Sequence, residues 1–195
     1  MTDGGVIEPV LSVAAATEKL LLDALYRQYQ QGRLGAAVIR HVPLGLAYKQ
    51  KGFRADQKQG AENTIRYIDA LVLFKDKRWA VEVKVSKADL KRELETPAKS
   101  VLWRAHTNAF YFLVPPEMVD HATEVIPPGS GILTLDPDSG GTVIVRRAKT
   151  NREPVELPEE MWRRLAARLG QLQSGIEPKP RRKRRTRRKT TRRRR

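Results

Sequence analysis

At 195 residues and 40% hydrophobic content, the chain is long enough for one domain with a substantial core, plus extensions. It has no cysteine and only three scattered histidines (His41, His106, His121), which excludes disulfides and thiolate metal sites and argues against a zinc cage. The formal charge of +16 is concentrated in one place: 13 Lys or Arg and no acid lie between Lys179 and Arg195, leaving +3 for the rest.

No apolar run approaches the ~18 residues of a membrane span, and the N-terminus MTDGGVIEPV lacks the basic start of a signal peptide. A soluble cytoplasmic protein is expected. Residues 1–11 read as a flexible leader, 12–173 as one folded domain, and 174–195 as a linker followed by a disordered polybasic tail. Such a tail suits electrostatic attachment to nucleic acid, with Arg181, Arg182, Lys183, Arg184 and Arg185 at its start. A solvated tail without a dedicated role and an anionic membrane surface are the weaker readings.

Ser12 or Thr17 can cap a first helix that ends at Gly32. Its stripe is Ala14, Glu18, Leu21, Leu22, Leu25 and Tyr29, which puts Glu18 on the apolar side. Ala36 to Val42 reads as a strand. Pro43 to Asn63 is expected to be an irregular connection, with a short strand near Leu46–Tyr48, a basic loop (Lys49, Lys51, Arg54, Lys58) and a weak candidate acid in Glu62.

Two apolar runs follow, joined by Lys75-Asp76-Lys77-Arg78. The first, Ile65 to Phe74, is apolar on both faces, as in a strand covered on both sides, yet carries Asp69 at its centre. On alternation, Ile68, Ala70, Val72 and Phe74 share one face, and Tyr67, Leu71 and Leu73 the other. The second run sets Trp79, Val81, Val83 and Val85 on one face, and Ala80, Glu82 and Lys84 on the other. A hairpin folded about Asp76-Lys77 pairs Lys75 with Arg78, Phe74 with Trp79, Leu71 with Glu82 and Asp69 with Lys84. Asp69, Glu82 and Lys84 then converge on one patch. Two carboxylates and an ammonium in a mostly apolar sheet need a partner, and a divalent cation with oxygen ligands supplies one. A plain cross-strand ion pair between Asp69 and Lys84 is the bland alternative. Leu71, Leu73 and Ala80 on the same face speak against the exposure that it requires.

Ser86 caps the next helix with Asp89 at its third position, and Leu90 and Leu94 form its inner stripe. Thr96-Pro97 restarts a helix that runs to about Ala105 and carries Lys99, Trp103 and Arg104. Trp103 reads as core ahead of base stacking. Lys87, Lys91 and Arg104 are candidates for contact with nucleic acid. Asn108 to Val114 is a buried strand that the right-handed crossover rule sets parallel beside the hairpin. Glu117 to Thr123 is a short helix, Gly131–Leu135 and Thr142–Arg147 a second hairpin. Pro158 starts a last helix with Met161, Trp162, Leu165, Leu169 and Leu172 as its stripe.

Asp69, a gap of 12 residues, then Glu82-Val83-Lys84 resembles the PD-(D/E)XK nuclease superfamily. Acid-x-Lys alone occurs four times in the chain, and only this copy lies in a Val-rich strand behind a run with a buried acid. Val83-Lys84-Val85-Ser86-Lys87-Ala88-Asp89-Leu90, Phe110-Tyr111-Phe112-Leu113-Val114-Pro115 and Gly131-Ile132-Leu133 look like the MmcB-like family of bacterial DNA-repair nucleases. The resemblance implies an α/β restriction-endonuclease-like core: a mixed central sheet flanked by helices in the order α-β-β-β-α-β. It also implies a bacterial or phage-encoded protein, held at the nucleoid by its tail, that hydrolyses DNA phosphodiester bonds in repair or phage DNA metabolism. Asp69, Glu82 and the Val83 backbone carbonyl would hold Mg²⁺ or Mn²⁺, with Glu18 as an accessory ligand. Otherwise Glu18 is a helix-start carboxylate favoured by the dipole. Lys84 would orient or help deprotonate water and offset charge on the transition state. The alternative from a different class is a non-catalytic nucleic-acid-binding protein on the same fold.

Overall fold

The computed structural model describes residues 16–31, 36–44 and 66–173. The leader, the 45–65 connection with its basic loop and Glu62, and the C-terminal basic run with Arg181, Arg182, Lys183, Arg184 and Arg185 lie outside the described residues.

Thr17 is the cap of the first helix, α1 (Glu18–Tyr26): the Leu20 amide donates to Thr17 Oγ1 at 3.2 Å, which satisfies one of the orphan donors of the first turn. A π-helical turn, Arg27–Gln31, continues it and adds Tyr29 to the buried face of Leu21, Leu22 and Leu25. Six strands follow among the described residues: β1 (Ala36–Leu44), β2 (Arg66–Phe74), β3 (Lys77–Val83), β4 (Ala109–Leu113), β5 (Gly131–Leu135) and β6 (Thr142–Arg146). They form one mixed sheet in sequence order, with β3/β4 and β4/β5 parallel and the other neighbours antiparallel. Helices α2 (Lys87–Glu95) and α3 (Ala98–His106) make the crossover from β3 to β4. A 3₁₀ turn (Pro116–Met118) and α4 (Val119–Val125) connect β4 to β5, and α5 (Glu159–Gln173) closes the described chain.

The protein is thus α/β, with helices on both faces of the sheet. Leu21, Leu22 and Leu25 of α1 pack with Val38, Val72, Val81 and Leu113. On the opposite face, Leu90, Trp103, Ala122, Met161 and Leu165 pack with Leu71, Phe110 and Phe112. Trp103, fully buried, is core as expected. No helix among the described residues is long and apolar enough to cross a membrane.

Two details of the sheet differ from the sequence-based expectation, and both bear on the site. The β2–β3 hairpin turns on Lys75-Asp76, and Phe74 pairs with Lys77, Leu73 with Arg78 and Leu71 with Ala80. The loop has the expected two residues but sits one residue earlier, which shifts every pair by two; Lys75 has φ +54°, the backbone sign that two-residue hairpin loops demand. A slip of two residues preserves the faces. One step beyond the last pair, Ala70↔Val81, Asp69 comes level with Glu82 rather than Lys84.

The second difference lies at the far end of β2. Ile39 and Val42 are three residues apart in β1 yet join the same cluster, as do Ile68 and Leu71 in β2. Ile68 therefore does not share the face of Ala70 and Val72. Strict alternation breaks in both strands at His41 and Asp69, which both lie between the pairs Arg40↔Ala70 and Val42↔Ile68. His41 has φ +52°, which twists β1 at this step.

Gly131 shows how tightly the parallel strands are set. A Cβ there would lie 2.2 Å from the Tyr111 ring and 2.9 Å from the Ala148 amide nitrogen. Since neither a packed ring nor a backbone can give that distance, Gly131→Ala should destabilise by about 1–3 kcal/mol, the usual cost of overpacking. A urea midpoint equal to wild type would contradict the packing described.

Candidate active site

The ladder between β2 and β3 opens at Ala70↔Val81, and the site is built in that opening. The Lys84 amide donates to the Leu113 carbonyl of β4 at 3.0 Å. Val83, one residue earlier, therefore turns its N–H and C=O toward β2, because both groups of a strand residue point to the same neighbour. Its amide is taken by the Asp69 carboxylate at 2.8 Å. This bond fixes the half-buried Asp69 in the gap, beside the Val83 backbone and next to Glu82 in register.

Around Asp69 stand two exposed side chains from other elements. One carboxylate oxygen of Glu18, one ring nitrogen of His41 and one carboxylate oxygen of Asp69 all lie within 4.8 Å of one another. Cation–oxygen distances of about 2.0–2.6 Å put ligands on opposite sides of one ion roughly 4–5 Å apart. The donor set therefore fits a single divalent cation. Glu18 starts α1 exposed, off the apolar stripe expected for it, and it does approach Asp69.

Glu82 and Lys84 form a second group on the α2 side, 1% and 6% exposed. The Lys84 ammonium donates to Glu82 Oε1 at 2.9 Å and lies 3.4 Å from Glu93 Oε2 and 3.7 Å from Asp89 Oδ2, both on α2. Burial works to lower the Lys84 pKa, but the charges of Glu82, Glu93 and Asp89 overcome it and hold the ammonium above its ordinary value. Lys84 is consequently a cation at neutral pH and a poor proton acceptor. The expected trio thus sits as two groups in place of one patch: Glu82 and Lys84 with the acids of α2, and Asp69 with Glu18 and His41. The Val83 backbone joins them.

Of the residues expected at nucleic acid, Lys87 and Lys91 are exposed on α2, where Lys91 reaches Glu95 at 3.8 Å. With Leu94, His121 and Val125 they line a groove between α2 and α4. Arg104 is engaged inside the fold instead. Its guanidinium stacks over the Phe110 ring at 4.8 Å and donates to Ser130 Oγ, and burial lowers its pKa.

Two residues of the site were not foreseen. Glu93 follows the buried Leu90 by three positions and so shares the inner face of α2, a signal available in the sequence. One of its oxygens, Oε1, is buried without a hydrogen-bond partner among the described residues. His41 had no signal, because its closeness to Asp69 depends on the β1–β2 register.

Neither a protein-family model nor a curated protein matches the chain. Among solved structures it is similar to the SPO1766 protein of unknown function from Silicibacter pomeroyi. The two are 16% identical, with a TM-score of 0.47, over 79% of this chain and 84% of that one. A likeness at that level carries no argument about activity.

Proposed function

We propose that the protein is a metal-dependent nuclease of the PD-(D/E)XK type that hydrolyses DNA phosphodiester bonds. One observation carries the reading: Asp69 is anchored on the amide of Val83, inside Glu82-Val83-Lys84, at the point where β2 and β3 part. The element order α1-β1-β2-β3-α2-α3-β4 supports a restriction-endonuclease-like core.

Asp69 and the Val83 carbonyl, with Glu18 reaching in from α1, would hold Mg²⁺ or Mn²⁺, while Glu82 stands in the neighbouring group with Lys84. A cation there supplies Lewis acidity at phosphorus and a more acidic attacking water. The chain's own part is to position groups and balance charge. The Val83 amide fixes one Asp69 oxygen and so aims the other. Lys84, kept protonated by Glu82, Glu93 and Asp89, orients the water and offsets the charge that develops on the phosphoryl oxygens. Lys87 and Lys91, with the polybasic run, meet the phosphates of the substrate.

The test is incubation of the purified full-length chain with labelled single- and double-stranded DNA and RNA in Mg²⁺, Mn²⁺ or EDTA. Cleavage of DNA with metal, none in EDTA and none by Asp69→Asn is the expected result. Binding by the wild type without cleavage of any substrate would establish the non-catalytic alternative.

A further inference from the structure

The geometry points to His41 as a ligand of the cation that Asp69 and Glu18 hold, which makes the site selective for a first-row transition dication such as Mn²⁺ over Mg²⁺. The inference rests on Asp69 being a metal ligand, as in the proposed nuclease, but not on the reaction performed there.

The three donors come from α1, β1 and β2, and the fold brings them within 4.8 Å of one another. His41 and Asp69 both lie between the β1–β2 pairs Arg40↔Ala70 and Val42↔Ile68. The break in alternation at this step separates the pair from the apolar rows on either side.

The ligand chemistry sets the preference. Carboxylates suit Mg²⁺, Ca²⁺ and Mn²⁺ alike, whereas imidazole suits first-row transition ions. Mg²⁺ demands near-ideal octahedral oxygen and gives up its water reluctantly, so a ring nitrogen adds little to its affinity. A site of two carboxylates and one imidazole should therefore discriminate in favour of Mn²⁺, and His41 should account for the discrimination.

Binding can be read without any substrate. Titration of the full-length chain with Mn²⁺, followed by the electron paramagnetic resonance of the free ion, gives the Mn²⁺ affinity, and competition by Mg²⁺ gives the second affinity. His41→Asn keeps a side chain that tolerates the left-handed backbone, and His41→Gly removes the imidazole with no backbone penalty at φ +52°. Both should weaken Mn²⁺ by at least about ten-fold, since losing even an outer partner of a metal ligand costs that much. Mg²⁺ affinity should stay within about three-fold, so that the discrimination collapses. Asp69→Asn should weaken both ions. Wild-type Mn²⁺ affinity in both His41 variants, with Asp69→Asn impaired, would make the imidazole a bystander and overturn the inference, while the nuclease reading stands. If Asp69→Asn also binds as the wild type does, or if the wild type binds no Mn²⁺, Asp69 is not a ligand and both readings fall.

Discussion

Lys84→Met should lower kcat by about 10²–10³-fold, the usual loss when one donor to a developing oxyanion is removed. Affinity for nucleic acid should stay close to wild type, because the group acts mainly in the transition state. The same substitution should also cost stability. Lys84 is 6% exposed and sits beside the buried Glu82 and the mostly covered Glu93, so its loss takes the ammonium away from two carboxylates shielded from water. Breaking a buried pair in this way costs about 3–5 kcal/mol. A loss of activity could then reflect unfolding alone, and a second substitution separates the two. Adding Glu93→Gln removes one of the buried charges left behind. The double variant should recover much of the thermal stability and none of the turnover. Recovery of both would make Lys84 a structural cation and leave the catalytic assignment without support.

The parts of this architecture that were legible in the sequence are those set by short-range rules. Ser86 and Asp89 announced the start of α2, and the Asp89 amide does donate to Ser86 Oγ at 3.2 Å. The β3 alternation separated Val81 and Val83 from Ala80 and Glu82, and the two faces of the sheet divide them in the same way. The crossover rule set β4 parallel to β3. What stayed hidden depends on backbone conformations that no residue type advertised. Lys75-Asp76 carries no Gly or Asn to mark a tight turn, so the turn was placed one residue late and the pairing was offset by two. The closeness of His41 to Asp69 needed the pairing of two strands separated by a long connection. Arg104 looked like a surface cation because its position on α3 was readable, whereas the turn of its guanidinium onto Phe110 was not.

Removing Lys179 to Arg195 should have the opposite effect to Lys84→Met: binding should fall and chemistry should persist. The run carries 13 positive charges and no acid, and the remaining chain has a net charge of only +3. Every phosphate left without its cation should reduce the magnitude of the slope of log K against log salt by roughly 0.9 on duplex DNA, so 13 charges set an upper limit of about 12. The measured change should be smaller, because not every charge reaches a phosphate at once. Its sign is still decisive: the truncated protein should bind more weakly at low salt and respond less to added salt. At saturating DNA its kcat should match the full-length chain, because Asp69, Glu82 and Lys84 are untouched. The salt series and the saturating rate together therefore test the division of labour. A truncated protein that fails to cut even at saturation, alongside a Lys84→Met variant that still cuts, would reverse the roles assigned to the two regions. An unchanged salt slope would remove the basic run from the binding surface altogether and leave Lys87 and Lys91 on α2 as the next groups to substitute.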